Sequence, residues 1–226
     1  MKAVAVKIGG FAFPVEPDMG FLRRCASVLK RIPEEGLKLV VVAGGGGLAR
    51  RLIRAARALG APEAICDEIG IMATRVNASL LSIALGLPSP MRIPTGLQDI
   101  GEALDKRDIV VMGGLQPGQS TDAVAVLAAE LTGASLVVKA TDVDGIYTAD
   151  PRRHPGARKL ERLSYDEALE LLSKMAVKAG TYELLDPLAI RLAKRSGVAI
   201  RVVDGREPGN IYKAIKGADV GSLVGP

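Results

Sequence analysis

Glycine residues collect directly after several apolar runs, where their backbone amides could bind an anion. They stand at four places: Gly9 and Gly10, residues 44–47, Gly113 and Gly114, and Gly145. Glycine loses more backbone entropy on folding than any other residue, so its repeated use indicates that something approaches the main chain closely. Backbone N–H groups in such loops bind phosphates and related polyanions. We therefore expect a polyanionic ligand at these positions.

Comparison with known sequence motifs argues against several kinds of phosphate-binding and hydrolytic site. A Walker A loop requires a Gly-Lys dipeptide, and the chain contains none. Residues 44–49 satisfy the G-x-G-x-x-A pattern of dinucleotide-binding folds, but that fold needs a second strand ending in an acid about 20 residues later. Asp67 and Glu68 stand at that distance in a segment of helical spacing, which disfavours this fold. A Ser-His-Asp triad is excluded in practice because the one histidine, His154, lies in a loop rich in Arg and Pro.

The composition is that of a globular protein with a large core. Of the 226 residues, 48% are hydrophobic and 24% are charged, and the net charge is +5. Aromatic residues make up 3% and the arginines are dispersed, which argues against nucleic acid as a partner. No apolar run reaches the ~18–20 residues of a membrane span, and the N-terminus does not resemble a signal peptide. With Cys25 and Cys66 as buried thiols, the chain is expected in the reducing cytoplasm.

Apolar, β-branched runs alternate with helical patterns along the chain. Strands are predicted at residues 2–8, 37–43, 108–112, 135–140 and 198–203. Helices are predicted at residues 17–31, 47–59, 63–85, 97–106, 121–132, 164–175, 186–196 and 208–216. Continuous apolar strands are typical of a parallel sheet covered on both faces, and their alternation with helices indicates an α/β fold. No linker divides the chain, so residues 1–226 are predicted to form one domain, with a surface loop at 150–158.

Four segments resemble the amino acid kinase superfamily, namely KIGG, VVVAGGGGLAR, VMGGLQPGQSTDAVA and KATDVDGIYTADP. Three segments resemble its archaeal uridylate (UMP) kinase branch, namely LQPGQSTDAVAVLAAE, DEIGIMATRVNASLL and AGTYELLDPLAIRLAKRSG. The resemblance implies an amino acid kinase-like fold, a three-layer αβα sandwich with a mostly parallel central sheet. It also implies transfer of the γ-phosphoryl group of ATP to UMP, giving UDP and ADP for pyrimidine nucleotide (CTP) biosynthesis.

The resemblance assigns catalytic roles to Lys7, Asp122 and Lys178. Lys7 would be a point charge aimed at the phosphates, although a lysine at a strand end is also compatible with an ordinary surface position. The aspartate that matches Asp122 orients catalytic lysines in related acetylglutamate kinases. Several members of the superfamily place a second phosphate-binding lysine at the position of Lys178.

The resemblance also divides the remaining contacts between two nucleotides, with UMP bound by the N-terminal part and ATP by the C-terminal part. The implied ATP contacts are Gly9, Gly10, Gly46, Arg50, Thr141, Asp142, Tyr147 and Asp150. The implied UMP contacts are Gly45, Asp67, Leu115, Gln116, Pro117, Gly118, Gln119, Ser120 and Thr121. Asp67 would accept hydrogen bonds from the ribose hydroxyls, whereas Ser120 and Thr121 are equally compatible with a plain helix N-cap.

Further expectations concern the metal, the assembly and three unusual residues. Mg²⁺ is expected with ATP, held mostly by phosphates and water, so no side chain is assigned as a metal ligand. The resemblance implies a homohexamer built from dimers and inhibition by UTP; helix 63–85 could form a dimer contact or be buried within the chain. The sequence departs from many relatives at Phe11, Gly47 and Asp142.

The sequence leaves open two alternatives to a UMP kinase function. One is another phosphotransferase of the superfamily, such as an isopentenyl phosphate kinase, which usually relies on a histidine near the substrate phosphate. The position of His154 in the 150–158 loop argues against it. The other alternative is a non-catalytic nucleotide-binding or storage protein on the same fold, which the retained Lys7 and glycine runs disfavour.

Overall fold

A computed structural model describes residues 2–88, 92–151, 153–176 and 185–226 of the chain. Its strands are β1 (Ala3–Ile8), β2 (Lys38–Ala43), β3 (Ile109–Met112), β4 (Leu136–Thr141), β5 (Ile146–Tyr147), β6 (Lys159–Leu160), β7 (Arg162–Leu163), β8 (Ala199–Asp204) and β9 (Ser222–Val224). Its helices are α1 (Met19–Glu34), α2 (Gly46–Ala58), α3 (Glu63–Ala84), α4 (Gln98–Lys106), α5 (Thr121–Thr132), α6 (Tyr165–Ala176), α7 (Pro187–Ser196) and α8 (Gly209–Ile215). A 3-10 turn, Gly10–Ala12, follows β1. None of the helices in these ranges is long and apolar enough to cross a membrane.

Seven of these strands form one sheet in the order β3-β2-β1-β4-β8-β9-β7. All neighbours from β3 to β8 are parallel, whereas β9 is antiparallel to β8 and β7 is parallel to β9. The strands β5 and β6 form a separate antiparallel hairpin, which the predicted loop at 150–158 joins. The five predicted strands are all present. The sequence pattern does not predict β5, β6, β7 and β9, because strands of two or three residues are too short to show a periodicity.

Helices cover both faces of this sheet, which confirms the predicted three-layer α/β fold. Alternate residues of a strand point to opposite faces, so Val4, Val6 and Ile8 of β1 enter one core and Ala5 enters the other. The first core lies against α1, α3 and α8, and the second lies against α4, α5, α6 and α7. The eight predicted helices are all observed with small shifts of their ends. Helix α1 runs past its predicted end and includes Pro33. The helix tolerates this proline because, in the last turn, it removes only one hydrogen bond.

The order of the strands creates a crevice at the carboxyl ends of β1 and β4. The chain proceeds from β1 to β2 and β3 in one direction, and α5 then returns it to β4 on the other side of β1. Ligands of open α/β sheets bind at such a reversal, outside the carboxyl ends of the strands. The glycine loops after β1, β2 and β3 all lie at this edge, so the fold brings together what the sequence separates.

The glycine run after β2 fits against the chain's own backbone. Gly46 has a left-handed φ of +63°, and a Cβ placed on it would lie 2.0 Å from the carbonyl oxygen of Phe13. The N–H of Gly47 donates a 2.7 Å hydrogen bond to the same oxygen. A Cβ on Gly47 would lie 2.7 Å from the nitrogen of Val15. These glycines therefore allow the segment after β1 to pack on the N-terminus of α2, a reason for glycine that is separate from any ligand contact.

Replacement of Gly46 tests this packing. In Gly46→Ala the methyl group would overlap the Phe13 carbonyl as well as adopt an unfavourable φ, so we expect the free energy of unfolding to fall by about 3 kcal/mol or more. The matched control is Gly60→Ala, where φ is +84° but no atom lies within 4 Å of the new Cβ; there we expect a loss of about 1 kcal/mol from backbone strain alone. Urea unfolding of both variants measures the difference, and equal losses would contradict the packing argument.

Candidate active site

Two lysine side chains project from neighbouring strands toward the same helix. Lys7 of β1 and Lys139 of β4 are register partners in the parallel ladder, near the carboxyl end of each strand. Only 9% of Lys7 and 5% of Lys139 is exposed. Since they occupy equivalent positions on adjacent strands, both point to the face that α5 covers. Lysine is almost never buried this deeply without an acidic partner.

Asp122 supplies that partner from the first turn of α5. Its Oδ1 lies 3.0 Å from Nζ of Lys7, and its Oδ2 accepts a hydrogen bond from Nζ of Lys139. Burial alone would raise the pKa of Asp122, but the two ammonium groups outweigh that effect and hold the pKa at about 2. The sequence prediction that Asp122 orients lysines agrees with this geometry, in which one carboxylate holds two Nζ atoms.

The three groups together carry one excess positive charge at the crevice. Burial lowers the pKa of the Lys139 ammonium, and Asp122 opposes that effect. In a site of low dielectric, a fixed positive charge interacts strongly with an anion and needs little reorganisation when the anion arrives. This arrangement is suited to stabilising negative charge on a phosphoryl group.

The loops at the carboxyl ends of the strands extend the hydrogen-bond ladder of the sheet. Gly9 donates to the Ala140 carbonyl at 2.8 Å, and Gly44 donates to the Ile8 carbonyl at 2.9 Å. Gly10 faces the glycine run, since a Cβ on it would lie 3.1 Å from Cα of Gly46. The same Cβ would lie 3.4 Å from Nη1 of Arg50, an exposed side chain on the first turns of α2. The structure thus brings the predicted ATP contacts Gly9, Gly10, Gly46 and Arg50 together.

Residues 115–121, the segment predicted to bind UMP, are called the acceptor loop. This loop is held by α3 on one side and by α7 on the other. Oδ2 of Asp67, on α3, accepts a 2.9 Å hydrogen bond from the N–H of Gly118. Ser120 is the N-cap of α5, since its hydroxyl oxygen accepts from the N–H of Ala123 at 3.1 Å. The same hydroxyl donates to Asp186, the N-cap of α7. An open cleft of about 330 Å³ lies here, lined by Gly118, Ser120, Asp122, Leu185, Asp186 and Pro187.

The remaining predicted ATP contacts follow β4. Thr141 ends β4, and its hydroxyl donates to Asp142 at 3.3 Å. Tyr147 and Asp150 belong to the β5–β6 hairpin and its loop, where the Tyr147 hydroxyl donates to Asp144 at 2.8 Å. Asp150 is 3.9 Å from Nε of Arg153. These contacts order the hairpin, but they do not connect it to the lysines.

Phe11 and Gly47, two of the residues at which the sequence departs from many relatives, are half-buried and pack between loops. The ring of Phe11 contacts that of Phe21 edge to face, with centroids 5.7 Å apart. A Cβ on Gly205 would lie 2.7 Å from Cζ of Phe11, so this ring fills space between the ends of β1 and β8. Gly47 faces Val15, as described above. Phe11 and Gly47 thus contribute to the packing of the loops against one another.

Several residues of the site escaped the sequence prediction. They are Lys139, Asp186, Thr74, Arg75 and Asn77. Lys139 had a readable signal, because it interrupts the apolar run SLVVKA as Lys7 interrupts KAVAVKI. Thr74 and Asn77 are polar residues three positions apart on the buried face of α3, which is also unusual. The predicted catalytic residue Lys178 lies outside the residues that the structure describes.

Comparisons with known proteins agree with this geometry. The sequence model of the amino acid kinase family matches residues 2–204. The uridylate kinase of Methanothrix thermoacetophila is 44% identical over 221 residues, which cover 98% of this chain and 98% of that protein. The uridylate kinase of Hyperthermus butylicus is 44% identical over 222 residues, with 98% and 97% coverage. The crystal structure of uridylate kinase from Archaeoglobus fulgidus has a TM-score of 0.87 and 39% identity, and the match covers 99% of this chain and 100% of that one.

Acid titration tests the charge balance around Asp122. Because its pKa falls from an ordinary 3.8 to about 2 on folding, the carboxylate contributes about 2 kcal/mol of stability that is present above pH 3.8 and lost as the pH falls through 2. In Asp122→Asn, two buried ammonium groups lose their counter-charge, and we expect a loss of about 3–5 kcal/mol at pH 7. The gap between wild type and variant should narrow by about 2 kcal/mol between pH 4 and pH 2, as measured by denaturant unfolding.

Asp166→Asn is the matched control for this titration. Asp166 pairs with Lys194 on the surface, where the two side chains are 72% and 51% exposed. Exposed pairs contribute little to stability, so this variant should follow the wild-type pH profile. A constant gap between wild type and Asp122→Asn from pH 7 to pH 2 would contradict the assigned ionisation of Asp122.

Proposed function

Since the chain belongs to the amino acid kinase family, we propose that it transfers the γ-phosphoryl group of ATP to UMP and so makes UDP and ADP. The observation that carries the proposal is the group Lys7–Asp122–Lys139 at the crevice between β1 and β4. The resemblance to archaeal uridylate kinases is confirmed over nearly the whole chain by relatives of that name. The product would enter pyrimidine nucleotide (CTP) biosynthesis.

The reaction needs positioning and charge stabilisation more than covalent chemistry from the protein. An oxygen of the UMP phosphate forms a bond to the γ-phosphorus of ATP, the bond to the β,γ-bridging oxygen breaks, and ADP leaves. Lys7 and Lys139 stabilise the negative charge on the group in transfer. Asp122 is a positioning residue, because it holds both Nζ atoms in place. Lys178 is proposed as a further phosphate-binding lysine on the family resemblance alone.

The two nucleotides occupy opposite sides of β1 within one domain, residues 1–226. UMP binds on the N-terminal side, above β3, β2 and β1, where Gly45, Asp67 and residues 115–121 lie. ATP binds on the C-terminal side, above β1, β4 and β8. Thr141 lies there at the end of β4, and the ATP phosphates would reach across β1 to Gly9, Gly10, Gly46 and Arg50. Asp142, Tyr147 and Asp150 extend toward the base and ribose. The phosphates then meet near the glycine loops at the crevice.

Magnesium accompanies ATP in this proposal. Mg²⁺ dehydrates reluctantly and is usually held by substrate phosphates, water and one or two carboxylates. The half-buried carboxylates of Asp142 and Asp204 follow the adjacent strand ends of β4 and β8, which fits that requirement. Asp204 is paired with Arg206 at 2.7 Å. Asp142, directly after the last residue of β4, is proposed to face the ribose or the water shell of the ion, and the role of the ion is to neutralise phosphate charge.

An acceptor panel tests the proposed function. ADP release from MgATP is measured with each nucleoside monophosphate and with isopentenyl phosphate as acceptor. We expect turnover with UMP at an efficiency at least tenfold above any other acceptor, and inhibition when UTP is added. Preference for isopentenyl phosphate would identify another phosphotransferase of the family. Binding of nucleotides without turnover of any acceptor would identify a non-catalytic protein.

Asp67→Asn tests the assignment of the acceptor ribose. A charged carboxylate forms stronger hydrogen bonds to hydroxyl groups than a neutral amide does, so KM for UMP should rise about tenfold or more while KM for ATP changes less than about twofold. Glu68→Gln is the control, since the neighbouring exposed residue points elsewhere on α3. A larger change in KM for ATP than for UMP would reject the assignment.

Self-association, ultimately as a homohexamer, is also proposed. Four apolar residues on α3 are exposed at spacings of seven, four and seven, so they share one face of the helix: Ile65 (45%), Met72 (56%), Val76 (51%) and Ile83 (66%). An exposed apolar face of this kind is typical of a protein contact. A second copy of α3 would cover it and form the dimer from which a larger assembly grows.

Val76→Glu tests this contact by placing a charge in the middle of the face. We expect wild type to sediment as a multiple of the 23.6 kDa chain, and Val76→Glu to shift toward the smallest species. The control is Leu131→Glu on α5, an apolar residue of equal exposure, 51%, away from this face. Analytical ultracentrifugation distinguishes the cases, and an unchanged mass in Val76→Glu would place the contact elsewhere.

A cytoplasmic location completes the proposal. Cys25 and Cys66 are both free and buried, and burial raises the pKa of the Cys25 thiol to about 12. Unpaired, unreactive thiols are typical of proteins in a reducing compartment. Fractionation of the source cells, followed by immunodetection, checks the assignment.

A further inference from the structure

Thr74 lies between the two glycine loops of the crevice. It stands on α3, two turns after Asp67, and only 6% of it is exposed. Its hydroxyl donates a 2.6 Å hydrogen bond to the carbonyl of Ile71 within the helix. The same oxygen accepts a 2.7 Å hydrogen bond from the buried N–H of Gly114. Because its one proton is used by Ile71, the hydroxyl presents a lone pair to Gly114 in a fixed direction.

The space that glycine leaves on the loop after β3 is filled by this part of α3. A Cβ on Gly113 would lie 2.4 Å from Oγ1 of Thr74 and 2.8 Å from the nitrogen of Arg75. On the other loop, a Cβ on Gly45 would lie 3.6 Å from the methyl carbon of Thr74. The hydroxyl of Thr74 thus contacts Gly114, just before the acceptor loop, and its methyl group lies near Gly45 of the glycine run.

Two neighbours on α3 reinforce the same contacts. The side-chain amide of Asn77 donates to the carbonyls of Gly44 and Gly45 at 2.8 and 3.0 Å. The guanidinium of Arg75 donates to the carbonyls of Gly114 and Leu115 at 3.3 and 3.4 Å. One helix therefore fixes the glycine run after β2 and the start of the acceptor loop after β3 relative to each other.

We propose that Thr74 is a positioning residue for the acceptor nucleotide. It sets the distance between the glycine run, residues 44–47, and the acceptor loop, residues 115–121, without touching the substrate itself. The inference rests on the proposed function, because it takes those two segments to hold UMP. It goes beyond that function in naming a buried hydroxyl on α3, rather than a residue of the loops, as the group that sets acceptor affinity.

The test compares Thr74→Val with Thr74→Ser. Valine keeps the shape and the methyl group but leaves the buried Gly114 N–H without an acceptor, a loss large enough to displace the loop. We expect KM for UMP to rise about tenfold or more in Thr74→Val, with KM for ATP changed less than about twofold. Thr74→Ser keeps the hydroxyl and should return KM for UMP to within about threefold of wild type. Thermal unfolding is recorded for each variant.

Each outcome decides between positioning and a merely structural role. Unchanged KM for UMP in a folded Thr74→Val, or equal increases for both substrates, overturns the inference while wild-type turnover of UMP leaves the proposed function standing. If Thr74→Val does not fold, Thr74→Ala replaces it, since a smaller side chain admits water to Gly114. Failure of both to fold, with Thr74→Ser like wild type, shows a purely structural role. A wild type inactive on UMP removes the proposed function and this inference with it.

Discussion

The structure depends on one costly electrostatic arrangement, the burial of two lysines side by side against a single carboxylate. Two ammonium groups on adjacent strands repel each other, and each loses hydration when buried. Asp122 makes the arrangement stable because each of its oxygens meets one lysine. The carboxylate must therefore arrive above β1 and β4 at the register of Lys7 and Lys139. The reversal of chain direction through α5 is the element of topology that brings it there.

That requirement explains why the N-terminus of α5 is so firmly held. Ser120 caps the helix and is bonded in turn to Asp186, which caps α7. The first turn of α5 is thus fixed from the helix beside it, and Asp122 with it. The same hydrogen bond ends the acceptor loop, so the group that orients the lysines and the loop assigned to the acceptor share an anchor. A displacement of the loop would therefore also move the carboxylate of Asp122.

The sequence predicts the helices, the five longer strands and part of the site. The strands β1, β2, β3, β4 and β8 are long and β-branched enough to show in the sequence, and Lys7, Asp122 and Asp67 stand in motifs with known family roles. Lys139 and Thr74 were harder, because their importance comes from register and from the approach of α3, which are long-range properties. The glycines show the limit most clearly. The sequence suggested that Gly46 and Gly113 make room for a ligand, whereas the structure shows that Phe13 and α3 occupy the space beside them.

This dual use of glycine has a physical reason. For backbone N–H groups to converge on phosphates, several loops must come close to one another at the edge of one sheet, and side chains on those loops would keep them apart. Packing of loop on loop is the result that the structure shows, since the N–H groups of Gly9, Gly44, Gly47 and Gly114 donate within the chain. Contact between the other loop amides and a phosphate stays a prediction. The lysines would attract a phosphate by charge without fixing its orientation, whereas amide N–H groups would fix its orientation by directional hydrogen bonds but carry little charge. A site that must bind two phosphate groups face to face needs both, and the crevice between β1 and β4 is where this fold supplies them together.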